Sequence, residues 1–288
     1  MFGLFKKKEK ENEPEVQGEA GTPKHPAAAT LSAQFDPEEF DILAVTGANG
    51  FGGGREAGEE YWTVTLPLTA WKEEGGPIHQ EDTCLVALAD DKVLPYLRRL
   101  APRDAIIQAR VRQGLEDDRF LLVGMPSPVM DQELKVILDE QKKPVTFWES
   151  GLGTFTLNRS VGWFELEADW LDQPVRLEFD QDENRADCLL HLHTLMDHQQ
   201  EWDHRIRSFA ADKLLELANQ WAQEEGEEES PQEVTQEDFM SRMELDAVQV
   251  YEDGAFDFWF NDGDLFWGHS IHVTGSLESG PEGAQMEG

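Results

Sequence analysis

Cysteine is scarce in this chain. Only Cys84 and Cys188 occur in 288 residues, and no Cys-x-x-Cys is present. That spacing is what a thiolate zinc site or a thioredoxin-like dithiol requires, so both are excluded. Two isolated thiols in apolar strand and helix contexts read as buried, inert groups of a reducing compartment. Basic residues are few as well. Lys and Arg number 24 against 59 Asp and Glu, for a net charge of -35. Binding a nucleic-acid backbone needs clustered cations, so no nucleic-acid partner is expected, and an anionic membrane surface would repel the chain equally. A basic protein partner is the kind this charge admits. No apolar run approaches the length of a transmembrane helix, and the start MFGLFKKKEKE is too short for a signal-peptide core. With Phe at position 2, myristoylation lacks its glycine. The expectation is a cytoplasmic protein.

What is present suffices for real cores. Hydrophobic residues make up 39% of the chain and there are nine tryptophans, which argues against global disorder. The length suits two domains. Residues 1–34 are rich in Lys, Glu, Pro, Ala and Thr and read as a disordered tail. Residues 35–143 read as a small β-rich, barrel-like domain. It has strands over 60–71, 83–89, 105–112 and 119–125, a short helix over 91–100 holding Pro95, and a closing linker helix over 131–143. Residues 144–288 read as a second, α+β domain. Strand signals at 145–148, 154–157, 163–169 and 175–179 give way to a stretch from Asp187 to Glu225 without Gly or Pro. There Leu189, Leu192, Met196, Trp202, Ile206, Phe209, Leu214, Leu217 and Trp221 recur at helical spacing. A continuous helix of that length would be roughly 55–60 Å long, so a break is expected around His198–Glu201. Thr235 and Asp238 form a capping-box-like helix start. Strands are expected at 247–251, 256–260 and 265–273, with a last one near 275–277. The fold class is therefore α+β: a barrel-like first domain, then an antiparallel sheet with a long helical segment packed on one face.

One motif is a decoy. Ile42–Gly53 (ILAVTGANGFGG) resembles the cofactor loop of extended short-chain dehydrogenases, with Gly47, Gly50 and Gly53 in place. Phosphate binding there needs a helix directly after the glycines. Gly53 leads instead into Gly54, Arg55, Glu56, Ala57, Gly58, Glu59 and Glu60, a run that suits a connection between strands and would repel phosphate. None of Tyr61, Tyr96 and Tyr251 has the Lys four residues later that this family's catalysis uses. No cofactor is expected.

Two groups of residues are candidates for chemistry. His193, Asp197, Glu201 and His204 could form a polar stripe able to complete a carboxylate–histidine metal site. No two histidines of this segment (His191, His193, His198, His204) have the i, i+3 or i, i+4 spacing of a helical ligand pair, and a solvated helix face explains the stripe without a metal. The second group lies in FDFWFNDGDLFWGHSIHV, residues 256–273. Alternation puts Phe256, Phe258 and Phe260 on one face and Asp257 and Trp259 on the other. It likewise puts Leu265, Trp267, His269, Ile271 and Val273 together, opposite Phe266, Ser270 and His272. His269 would then sit on an apolar face beside the turn carboxylates Asp262 and Asp264. The three could form a pocket with a general base or a metal, or His269 could simply tie a turn carboxylate. Asp-Gly-Asp alone falls short of a calcium loop.

The stretches LGTFTLNRSVGWFE, ADWLDQPVRLEFD, ADKLLELANQW, VTQEDFMSRMEL and FWFNDGDLFWGHSIHVTGSLESGPEGAQMEG occur in this order. That succession resembles the bacterial family called domain of unknown function 2262, from about Val145 to Gly288, and the first region resembles the companion domain that often precedes it. The resemblance implies a mostly bacterial, cytosolic protein, with no activity or catalytic residues to carry over. Without a complete catalytic set, the favoured reading is a non-enzymatic acidic protein-interaction module, of adaptor or immunity type, that shields a partner. The alternative is a hydrolase or metal-dependent enzyme centred on Asp262, Asp264 and His269.

Overall fold

The computed structural model describes residues 26–225 and 233–288, and the chain divides into two units, Met1–Lys143 and Pro144–Gly288. Of the tail expected over 1–34, residues 1–25 lie outside the described residues, while Pro26–Ser32 form a helix, α1. Proline at its first position costs no helical hydrogen bond, and Ala28 is buried. No helix among the described residues is long and apolar enough to cross a membrane.

The first unit contains β1 (Phe35–Thr46), β2 (Gly52–Gly54), β3 (Trp62–Lys72), β4 (Thr83–Ala89), α2 (Val93–Leu100), β5 (Ile106–Gly114), β6 (Phe120–Pro128) and α3 (Gln132–Gln141). The sheet order is β1-β5-β6-β4-β3-β2, and an added β1–β3 pairing closes five strands into a barrel. Alternation fills it: Ile42, Leu66, Leu85, Ile107, Val111, Phe120 and Leu122 point inward and are buried, along with Leu97 of α2. Gly53 of the dehydrogenase-like stretch serves strand contact. A Cβ on Gly53 would lie 2.6 Å from the Thr63 carbonyl oxygen, so only glycine lets β2 approach β3 so closely. The next element is a strand and not a helix.

α3 is fixed to the barrel by Leu134, buried among Val45, Ala70 and Ile106, by Gln141 donating to the Thr46 carbonyl at 2.9 Å, and by one buried charge. Asp131 caps its N-terminus by accepting from the Glu133 and Leu134 amides. The same carboxylate lies 2.8 Å from the ammonium of Lys72 on β3, which also reaches Glu133 at 2.6 Å. Lys72 is only 4% exposed. The hydrogen bond to Asp131, then that to Glu133, holds its ammonium above the usual lysine range. We expect Lys72→Ala to leave Asp131 and the largely exposed Glu133 without their cation and to cost on the order of 2 kcal/mol, between the figures for exposed and fully buried pairs. The measurement is urea unfolding followed by far-UV circular dichroism, and an unchanged midpoint would rule out this anchoring role.

The second unit contains β7 (Thr146–Glu149), β8 (Gly153–Asn158), β9 (Trp163–Trp170), β10 (Gln173–Asp180), α4 (Arg185–Asp197), α5 (Gln199–Glu225), α6 (Gln236–Arg242), β11 (Glu244–Val250), β12 (Ala255–Asn261), β13 (Ser270–Ser276) and β14 (Gly280–Glu287). Its sheet runs in order from β14 to β7. Neighbours are antiparallel except β10 and β11, which pair in parallel. The reason is topological: α4, α5 and α6 intervene there, and a strand reached by a helical crossover returns parallel. Trp170, Val175, Leu177, Phe179, Phe256, Phe258 and Phe260 form one core with Leu192, Leu195, Trp202 and Ile206 of the helices.

The helical stretch is broken at His198, whose backbone leaves the helix (φ -125°, ψ 31°). The break is pinned by Gln199, whose side chain donates to the Asp169 carbonyl at 3.0 Å and accepts from the Leu171 amide at 3.1 Å. Asp203 then takes the Trp170 indole N–H at 3.1 Å and the Arg207 guanidinium at 2.8 Å, joining β9 to α5. α6 starts at the Thr235–Asp238 capping box. Two strand expectations fail. Residues 265–269 are not strand, and the last strand is β14 rather than 275–277, a stretch mostly absorbed into β13.

Candidate functional site

The loop joining β12 to β13, Asp262 to His269, holds all three residues that the sequence singles out there. It owes its shape to Asp262, which is 3% exposed. Its Oδ2 accepts from the amides of Phe266 at 2.6 Å and Gly268 at 3.2 Å, and its Oδ1 from the amide of Asp264 at 3.2 Å. A buried carboxylate must be satisfied by donors, and here the loop's own backbone supplies them. Arg242 of α6 donates from Nε to the Gly263 carbonyl at 2.8 Å. A Cβ at Gly263 would overlap the Arg242 carbonyl, so this turn requires glycine. Leu265 and Phe266 are both buried, at 4% and 0% exposure. The Asp264, Phe266 and Gly268 amides gathered on Asp262 are withdrawn from any strand ladder, which is the physical reason the expected 265–273 strand starts only at Ser270.

Asp264 is exposed and has φ 63°. His269 lies outside the strand, so it does not share the Ile271–Val273 face. Its Nδ1 bonds the Phe266 carbonyl oxygen, and its ring stands edge-on to Trp221 of α5 at 5.4 Å. The residue the loop displays is Trp267. It is 52% exposed, with φ 57° and its ring 4.6 Å from that of Trp221. Left-handed backbone at a bulky residue costs about 1–2 kcal/mol, so the loop's other contacts must hold it there.

The polar stripe is divided. His193 and Asp197 belong to α4 and Glu201 and His204 to α5, on either side of the His198 break. His193 Nε2 pairs with Glu149 of β7 at 3.1 Å, while Asp197, Glu201 and His204 are exposed. Among the described residues no group of three or more His, Cys, Asp or Glu side chains could hold a metal ion. Cys188 is fully buried, and burial above all pushes its thiol up to about 12. Burial likewise raises the Cys84 thiol. Both thiols are therefore protonated at neutral pH and poor nucleophiles.

A cluster missed in the sequence lies on the sheet face away from the helices. The β12–β13 register sets Trp259 opposite His272, and the rings stack at 3.9 Å, 4° from parallel. His272 Nδ1 is 3.2 Å from Glu287 of β14. Nε2 is 3.0 Å from an Asp257 oxygen without forming a hydrogen bond to it. Asp257 also accepts from the Tyr251 hydroxyl at 2.7 Å, and burial, then that bond, pushes the Tyr251 phenol above its usual range. The ring of His272 is enclosed with a carboxylate at each nitrogen, so it serves as a strut between β12 and β14. The signal available beforehand was Asp257 and Trp259 on one strand with His272 on the next, all of outward parity.

On the same face, β9 to β11 carry closely set carboxylates. Glu165 pairs directly with Glu178 across β9 and β10, and Glu178 is 5% exposed. Arg176 reaches Glu178 at 2.9 Å and Asp246 at 2.8 Å. A shallow depression bounded by Thr156, Asn158, Glu165, Glu167 and Arg176 lies beside this pair.

The two carboxylates of the loop are expected to separate sharply in mutagenesis. Asp262→Ala leaves buried amides without an acceptor and should destabilise the second unit by roughly 2–4 kcal/mol. Asp264→Ala should stay within about 0.5 kcal/mol, as exposed sites do. Denaturant titration of each variant decides this, and equal effects would contradict the assigned roles.

Residues 149–286 match the family model domain of unknown function 2262, described as an uncharacterized protein conserved in bacteria. Residues 28–141 match a second model, domain of unknown function 7021. No curated protein and no solved structure matches the chain. The match to domain of unknown function 2262 thus covers most of the second unit, and the match to domain of unknown function 7021 most of the described part of the first.

Proposed function

We propose that this protein is a non-enzymatic interaction module that binds a basic protein partner through the acidic outer face of β9–β11. The single observation that carries this reading is the Glu165–Glu178 pair. Like charges directly opposite on a sheet destabilise it, and burial adds to the cost. Burial, and with it the charges of Glu165 and Asp246, raises the Glu178 carboxyl above its usual range against the pull of Arg176. An arrangement that weakens the free protein is what a cationic partner would relieve on binding. The net charge of -35 supports the same partner through long-range steering. The engagement of Asp262 by loop amides also favours a binding over a catalytic role for the second unit.

The double substitution Glu165→Gln, Glu178→Gln preserves shape and one acceptor oxygen on each side chain while removing both charges. It should raise the thermal midpoint by roughly 2–4 °C and reduce capture of a basic partner from a bacterial lysate in the presence of physiological salt. Loss of stability together with unchanged capture would sink the proposal. The pH dependence has a defined sign. Folded Glu178 holds its proton more tightly than the unfolded chain does, so its contribution is least unfavourable at low pH. Stability is lost as pH rises from the ordinary glutamate range through the raised folded value. The benefit of Glu178→Gln alone should therefore be small near about pH 4 and grow toward neutrality, which thermal melts across pH would read.

A further inference from the structure

We propose that Trp267 is the anchor of a second contact surface, which takes an arginine side chain from a basic segment of a partner. This surface shares with the acidic face of β9–β11 only the premise of a basic partner and uses different residues. Single exposed apolar side chains are ordinary on protein surfaces, and Trp148, 69% exposed, is one of them, alternating with Phe147 along β7. Trp267 differs in how it is held. It sits in left-handed backbone, with its loop clamped by the amides of Asp264, Phe266 and Gly268 on the buried carboxylate of Asp262. Trp221 packs against it, and Trp221 is itself set edge-on against Phe266 and His269. The indole is thus fixed in place before any partner arrives, so little side-chain entropy is lost on binding. Half of it still faces solvent.

The chemistry of the occupant follows from charge. An exposed indole face attracts cations through its quadrupole, and guanidinium adds planar stacking that an ammonium lacks. Asp264, exposed three residues before Trp267, adds a carboxylate on the same loop. In a chain with 59 acidic residues, an anionic or purely apolar segment gains less there than a cationic one.

The test is titration of the full chain with an arginine hexapeptide, a lysine hexapeptide and an aspartate hexapeptide at physiological salt, read by tryptophan fluorescence and calorimetry. The arginine peptide should bind more tightly than the lysine peptide, and the aspartate peptide should not bind. Trp267→Ala should weaken the arginine peptide about fivefold or more, while Glu165→Gln, Glu178→Gln should change it less than about twofold. If Trp267→Ala perturbs folding, Trp267→Phe and Trp267→Leu replace it, since both carry the same cost of a bulky side chain in left-handed backbone: Phe should retain binding and Leu should lose it. Absence of saturable binding, equal affinity for arginine and lysine peptides, or indifference to Trp267 overturns the inference. If instead only the glutamate variant loses the peptide, the sheet-face reading stands without it.

Discussion

The helical layer over one face of the eight-stranded sheet is the constraint on which the second unit depends. Helices α4 to α6 bury one parity of every strand they cross, so those positions must be apolar. On β12 these are Phe256, Phe258 and Phe260, all at or below 1% exposure. Most polar side chains on the same strands fall on the opposite face, because side chains alternate. In a chain of this acidity the outward positions fill with carboxylates, and strand pairing then decides which of them become neighbours. The juxtaposition of Glu165 with Glu178 and the setting of His272 between Asp257 and Glu287 both follow from that one-sided burial plus register.

The same constraint explains what the sequence makes legible. Strands with clean alternation, such as 62–72, and the uninterrupted helical period of 187–225 announce themselves because burial on one side writes its period into the residues. The capping box at Thr235 is local chemistry and is readable for that reason. Long-range facts are not written locally. The β1–β3 pairing that closes the barrel, and the parallel register of β10 with β11, depend on residues far apart in the chain. β14 is glycine-containing and mostly polar, and it gains its strand conformation from pairing with β13. α1 occupies a composition that resembles a tail.

The loop at 262–269 shows a sharper failure, with a physical cause. Its residues Leu265 to Val273 mimic strand alternation when only residue type is considered. A carboxylate at Asp262 overrides that pattern by gathering three amides, and each amide so used is withdrawn from a strand ladder. An aspartate that looks like a catalyst by composition thus acts on its own backbone, and His269 is carried out of the sheet with the loop. His272, which composition offers no reason to prefer, becomes the enclosed histidine, because β13 begins at Ser270.

Strain at Trp267 can persist only where the surroundings over-determine it. Relaxing its backbone would move the Gly268 amide off Asp262 and leave a charge buried without a full set of donors. The cost of that, about 1–3 kcal/mol, offsets the cost of one left-handed residue. The loop is therefore locked from the inside, and the direction in which Trp267 points is fixed by a residue that never reaches the surface. The same logic holds in the barrel, where the burial of Lys72 commits Asp131 and thereby the start of α3. In both units a buried charge uses its hydrogen bonds to set backbone geometry, which leaves the surface carboxylates and the displayed indole as the groups free to meet another molecule.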